Sequence, residues 1–372
     1  MKKNILGLLI ALVIFATSCS DSLLLYQVSQ EIDLEKHTVV GNVYTMISHE
    51  DYIYALTGKI QRKNVNYQNK IPGTTLGSDP VINQNAGKTA WEFVATPENK
   101  LTSALASDGE NIYALIVDNP TTPEVKDITY SLYYTENPTS SNPEWKKLFG
   151  NTQNIKTIFD NGATSENKKA FISYKKGDSF EIFSLTPTFS SETLETAEEA
   201  PVNTIYAVYA FGKTIFSTTR NITVVNDSYV YKSTSAKKLS FLTKDTAIFD
   251  AETKNYNWND SLSISDLLTP HSLLFYQETE ESTPYLLVGT ISGLDRIVLD
   301  AQYKPTGKVI SGYYNSQAQF GSYYVIGLYS FPTTEANAPA TGNIYAATRE
   351  EDSSDYSYLW GFYPERGNWN CE

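Results

Sequence analysis

Five short strand-like cores recur along the chain at a nearly constant spacing. They are Tyr52-Ile53-Tyr54-Ala55-Leu56, Ile112-Tyr113-Ala114-Leu115, Ala170-Phe171-Ile172-Ser173-Tyr174, Tyr285-Leu286-Leu287-Val288-Gly289 and Ile344-Tyr345-Ala346-Ala347. Their starts lie 60, 58, 115 and 59 residues apart, the third being close to two periods, and the gap is filled by Tyr229-Val230-Tyr231 or by Thr214-Ile215-Phe216. A fixed period of this size means one supersecondary unit repeated, each copy too small to bury its own apolar surface.

The order within a unit repeats as well. Leu101 to Ser107 is followed by the turn Ser107-Asp108-Gly109-Glu110, then by Asn111 to Val117, Tyr130 to Thr135 and Trp145 to Leu148. Glycine and aspartate suit the tight turns between antiparallel neighbours. Thr157 to Asp160, Lys169 to Tyr174 and Phe180 to Leu185 begin the next round, and Tyr323 to Tyr329, Asn343 to Thr348 and Tyr358 to Tyr363 do so near the C-terminus. Tyrosine is abundant, with 27 copies against 2 methionines, and aromatic enrichment favours strands. The expectation is an all-β chain folded as a β-propeller of four-stranded antiparallel blades, six by the period, with a seventh accommodated between Ala200 and His271. The competing arrangement is one or two β-sandwiches. If Tyr358 to Tyr363 is the third strand of the last blade, a segment near Val28 to Leu34 is expected to supply its fourth and join the ends of the ring.

The N-terminus carries an address. Lys2 and Lys3 precede the apolar run Ile5 to Phe15, and Ala16-Thr17-Ser18 places small residues before Cys19. This is the layout of a signal peptide, and its apolar stretch is shorter than the roughly 18 to 20 residues that span a bilayer. Ala16-Thr17-Ser18-Cys19 resembles the lipobox of bacterial lipoproteins, although alanine stands where that family usually has leucine. The resemblance implies lipidation at Cys19 and display in the bacterial cell envelope, at the outer membrane. The expected organisation is a signal peptide over 1–18, a lipidated cysteine and tether over 19–30, and one propeller domain over 31–372. Leu23-Leu24-Leu25-Tyr26 is apolar for a tether and is expected to pack on the domain.

Charge narrows the partners. The chain has 42 acidic against 29 basic residues, and two of those lysines lie in the signal. Nucleic acid is therefore a poor partner, since a phosphate backbone calls for a basic face. The same balance disfavours an anionic membrane surface, which leaves the lipid as the route to the membrane. With Cys19 acylated, Cys371 has no second cysteine to pair with. The domain is expected to be monomeric.

Motifs for catalysis are absent. His37, His49 and His271 have no metal-ligand spacing, and each reads as structural. Gly87-Lys88-Thr89 lacks the first glycine of a phosphate loop, since Ile82 stands there. In Gly289-Thr290-Ile291-Ser292-Gly293 the serine falls one place late for a nucleophile elbow, so a strand-end turn is expected. Sialidase-type propellers carry arginine clusters and Asp-box turns, but five arginines occur here and Ser107-Asp108-Gly109 has the wrong spacing. Acidic groups at Glu195, Glu198 and Glu199, and at Glu350, Glu351, Asp352 and Asp355, match no EF-hand spacing and read as solvated loops. No catalytic residue, cofactor or metal ligand is assigned.

The segment Tyr285 to Glu372, with Leu287-Val288-Gly289-Thr290, Gly293-Leu294-Asp295-Arg296, Leu359-Trp360-Gly361-Phe362-Tyr363-Pro364 and Gly367-Asn368-Trp369-Asn370, resembles the closing part of uncharacterised spirochaete-type propeller lipoproteins. That resemblance implies fold and location and carries no activity. The leading functional expectation is a lipid-anchored binding protein that presents a propeller face to a protein, peptide or glycan, with some tyrosines exposed together on that face. A carbohydrate hydrolase using paired carboxylates and a scaffold of an envelope assembly are the alternatives.

Overall fold

The computed structural model describes residues 39–372 apart from residue 40 and the segments 65–69, 77–78, 83–90, 120–127, 161–167, 178, 191–213, 217–221, 226–228, 235–237, 244–248, 251–254, 257–259, 264–269, 278–280, 313–322, 332–341, 351–356 and 364–367. The expected signal, Cys19, the tether and His37 lie outside the described residues, as do Gly87-Lys88-Thr89, Glu195, Glu198, Glu199, Glu351, Asp352 and Asp355.

Strands account for nearly all of the regular structure. The first sheet joins β1 (Thr45–His49), β2 (Tyr52–Leu56) and β3 (Ile60–Asn64), leaves for a hairpin of β4 (Lys70–Leu76) and β5 (Asp79–Ile82), and returns with β6 (Glu92–Val94) as its outer strand. The second is an uninterrupted meander of β7 (Thr102–Ser107), β8 (Ile112–Val117), β9 (Tyr130–Thr135) and β10 (Lys146–Thr152). The third contains β11 (Ile155–Asp160), β12 (Ala170–Lys176) and β13 (Ser179–Leu185) among the described residues. The fourth has five strands, β14 (Thr214–Phe216), β15 (Ile222–Val225), β16 (Tyr229–Thr234), β17 (Lys238–Thr243) and, after the hairpin β18 (Phe249–Asp250) with β19 (Asn255–Tyr256), β20 (Asp260–Ser263). The fifth runs β21 (Pro270–Tyr276), β22 (Tyr285–Thr290), β23 (Gly293–Leu299) and β24 (Pro305–Ser311); the sixth runs β25 (Tyr324–Phe331), β26 (Asn343–Arg349), β27 (Ser357–Tyr363) and β28 (Asn368–Cys371).

The repeated cores occupy one equivalent place, the second strand of their sheets: β2, β8, β12, β22 and β26. The gap in the series is filled by Tyr229-Val230-Tyr231 in β16, while Thr214-Ile215-Phe216 forms β14 at the edge of that sheet. Both faces of β2, β8 and β26 are buried, and alternate residues face opposite neighbours. On β2, Ile53 and Ala55 join a core shared with the sixth sheet, and Tyr54 and Leu56 join one shared with the second. On β8, Ile112, Ala114 and Ile116 face the first sheet, and Tyr113 and Leu115 face the third. On β26, Ile344 and Ala346 face the fifth sheet, and Tyr345 and Ala347 face the first. Successive side chains of a strand point to opposite faces, so a strand sandwiched on both sides must be apolar throughout.

The packing of inner strands sets the architecture. β7 lies against β1 and β11, β21 against β15 and β25, and β25 against β1. The last sheet thus packs on the first, and the chain is a β-propeller whose described sheets are consistent with six blades. Several sheets are four-stranded antiparallel as expected, and the fourth carries a further strand. One expectation is corrected. The fourth strand of the last sheet is β28, which pairs with β27 through Phe362 opposite Trp369, so the place assigned to Val28 to Leu34 is already taken; that segment lies outside the described residues. Asn368 to Cys371 follows β27 after a short connection, so an antiparallel return is reached locally without the N-terminus.

Candidate functional site

β1, β7 and β11 begin at one rim of the ring, here called upper, and end together at the other, the lower rim. β1 ends at His49, β7 at Ser107 and β11 at Asp160, so three consecutive blades bring a polar side chain to the same level. His49 and Ser107 stand one repeat apart, 58 positions, and His49 Nδ1 lies 2.8 Å from Ser107 Oγ. The Ser107 backbone N–H donates to Asp160 Oδ2 at 3.2 Å. Lys168, just ahead of β12, donates to the carbonyl and, at 2.9 Å, to the hydroxyl of Ser48, and its Nζ is 3.8 Å from Asp160 Oδ2.

The turn after β7 supports this cluster. Asp108 Oδ1 accepts the backbone N–H groups of Glu110 at 2.9 Å and Asn111 at 2.6 Å, which folds the chain back through Gly109 at a φ of 95°. Asp108 Oδ2 accepts the Tyr113 hydroxyl at 2.5 Å. Burial first, then that hydrogen bond and the carboxylate charge, push the Tyr113 phenol well above the usual range, so it remains a donor.

A histidine beside a serine has the outline of a base and its nucleophile, but the surroundings decide otherwise. Ser107 is fully buried, His49 is 2% exposed, and Ser107 Oγ already accepts the Gly109 N–H at 3.1 Å. Burial lowers the His49 pKa from 6.5 to about 4; the Lys168 charge adds to this and Asp108 opposes it. The imidazole is therefore neutral at ordinary pH. Lys168 is itself pushed below its ordinary range by burial, against the opposing effect of Asp160. The constellation is a set of inter-blade ties around a fully buried serine.

The upper rim differs. Tyr44, Leu101, Phe93 and Ile128 are the exposed large apolar side chains among the described residues. Tyr44 and Leu101 directly precede β1 and β7, Ile128 leads into β9, and Phe93 on β6 lies 5.7 Å beneath Lys59 of the β2–β3 turn. Backbone bonds draw these elements together: Thr102 N–H to Gly58 O at 3.0 Å, Val117 N–H to Leu101 O at 3.0 Å and Tyr44 N–H to Leu56 O at 2.8 Å. Charged groups border the patch. Lys100 pairs with Glu98 at 2.5 Å and lies 3.7 Å from Asp118, and the Tyr133 hydroxyl donates to Glu98. All four apolar residues belong to the first two blades.

Other sequence expectations can be placed. Gly289 to Gly293 is the β22–β23 turn, where Thr290 Oγ1 accepts the Ser292 N–H at 3.1 Å, so Ser292 is a turn residue as expected. His271 stacks on Tyr324, with ring centres 5.4 Å apart and planes inclined by 20°. Among the tyrosines of the described residues Tyr44 alone is exposed, while Tyr54, Tyr113, Tyr276 and Tyr345 are packed between blades. The twofold burial of blade strands consumes them. No group of three or more His, Cys, Asp or Glu side chains among the described residues is arranged to hold a metal ion. No helix among them is long and apolar enough to cross a membrane. The lower-rim cluster was missed because motif spacing was sought along the chain, whereas residues one repeat apart become neighbours across blades.

No protein-family model matches the chain, and no curated protein matches it in sequence. Solved structures do. A protein from Lactobacillus plantarum is similar at 10% identity over 90% of this chain and 94% of its own, with a TM-score of 0.40. BBS1N, solved in complex with ARL6DN, is similar at 10% identity over 90% and 98%, with a TM-score of 0.41. The β-propeller domain of the Trilobed protease from Pyrococcus furiosus, described as having an open velcro topology, is similar at 10% identity over 88% and 94%, with a TM-score of 0.37. The ring itself follows from this chain's own sheet order and inter-blade cores, not from these superpositions.

Proposed function

We propose that the chain is a lipid-anchored binding protein of the bacterial cell envelope, held through Cys19, that presents the upper rim of its first two blades to a protein, peptide or glycan partner. The observation that carries this reading is the segregation of side chains between rims. Apolar groups stand exposed at Tyr44, Phe93, Leu101 and Ile128, while the His49, Ser107, Asp108 and Asp160 groups opposite are taken up by internal bonds. Aromatic and aliphatic anchors ringed by charge are what a contact surface uses. The anchor rests on the sequence from Lys2 to Cys19.

The test uses the full-length protein in detergent on peptide and glycan arrays, beside a Tyr44→Ala, Leu101→Ala double variant. Loss of array binding in the variant with an unchanged unfolding midpoint is the expected result. Binding that is indifferent to both substitutions, or turnover of an arrayed glycan, would overturn the reading.

A further inference from the structure

We infer that the lower-rim junction of the first three blades is an acid-sensitive joint, in which proton uptake by His49 detaches the end of β1 from β7 and loosens this side of the ring. Geometry carries the argument. The imidazole is sealed between blades, one nitrogen is spent on Ser107 Oγ, and Nε2 is buried with no hydrogen-bond partner among the described residues. A proton added to the ring leaves a cation with a donor that has nothing to meet, and burying such a charge is strongly unfavourable.

The neighbours offer little relief. The charged groups on the elements meeting here are Glu50 and Asp51 in the turn after β1, Asp108 and Glu110 in the β7–β8 turn, Asp160 at the end of β11, and Lys168 and Lys169 before β12. Lys168 is anchored on Ser48, the residue next to His49, so a second cation would share its pocket. Asp160 faces Lys168 and accepts the Ser107 N–H, and Asp108 holds its own turn and Tyr113. Both carboxylates are committed before the imidazole is charged. Opening the junction, which lets water reach Nε2, is the available response.

Burial, then Lys168, takes the His49 pKa from 6.5 to about 4. The sign follows. The opened state binds the proton near pH 6.5 and the closed state only near pH 4, so closure is unaffected well above pH 6.5, weakens as pH falls from there, and levels off below pH 4. By this linkage the opening equilibrium at pH 4.5 exceeds that at pH 7 by about 50-fold.

Hydrogen exchange of the full-length protein in detergent, corrected for intrinsic rates, provides the test. Between pH 7 and pH 4.5 the amides of β1 and β7 should lose about 50-fold protection relative to β26, and His49→Gln should remove the difference. Equal loss in all three strands, or the same selective loss in His49→Gln, would overturn the inference. The imidazole resonances of the unaltered protein serve where the variant does not fold: titration of His49 below pH 5 is expected, and titration near pH 6.5 with β1 still protected would overturn the inference equally.

Discussion

Lys63 Nζ lies 2.6 Å from Glu372 Oε2, although 309 positions separate the two residues in sequence. Both side chains are buried, at 1% and 5% exposure. The same carboxylate oxygen accepts Trp91 Nε1–H at 2.8 Å, while the Glu372 backbone accepts Val39 N–H at 3.2 Å and donates to Leu359 O at 2.8 Å. One residue thus holds the last blade to the first.

Removing either partner leaves a buried charge without its counterpart. Lys63→Met and Glu372→Gln should each destabilise the protein by about 3–5 kcal/mol, whereas the double replacement Lys63→Met, Glu372→Leu should recover much of that loss. Urea unfolding of the three variants checks this, and additive losses in the double variant would contradict it.

Close approach between the fifth and sixth blades makes Gly289 irreplaceable in size. A Cβ there would sit 2.1 Å from Ser272 Oγ and 2.5 Å from the backbone oxygen of Val325. Gly289→Ala should cost about 1–3 kcal/mol by forcing the blades apart. Adding Ser272→Ala should restore only part of this, because the Val325 carbonyl remains; full restoration would place the conflict at the side chain alone.

Asp295 is buried, and desolvation raises its carboxyl pKa against the opposing bonds from Ser311 and the Gly312 N–H. A raised folded-state pKa means that the folded form binds the proton more readily than the unfolded one. Its contribution therefore improves as pH falls through the carboxylate range. Relative to Asp295→Asn, the unaltered protein should be less favoured at pH 7 than at pH 4, as read by paired denaturant melts at the two pH values.

The proposed acylation depends on one thiol, that of Cys19. Cys19→Ser should abolish incorporation of labelled palmitate and move the protein from the membrane fraction to the soluble one or stall its precursor. Unchanged labelling would contradict the anchor.

The second strands were legible in advance because burial on both faces demands unbroken apolar runs, and short apolar cores such as Ile112-Tyr113-Ala114-Leu115, recurring every 58 or so residues, meet that demand. Blade contents were less legible. The β4–β5 hairpin inside the first blade and the fifth strand of the fourth depend on segments whose composition does not differ from an ordinary loop or strand. The tyrosines were not legible one by one for a similar reason: the residue that suits a contact surface also fills the space between two sheets, and composition alone does not separate the two uses.

By itself, then, the sequence determined the period and the strand that lies at the centre of each blade, because these depend on local pattern. Tertiary structure decided which distant residues meet. His49 reaches Ser107 and Lys63 reaches Glu372 because ring closure turns a separation of one repeat, or of nearly the whole chain, into a contact of one hydrogen bond. It also decided that β28, next in line, fills the last edge: a strand already held beside β27 reaches that position at lower entropic cost than one recruited from the other end of the chain.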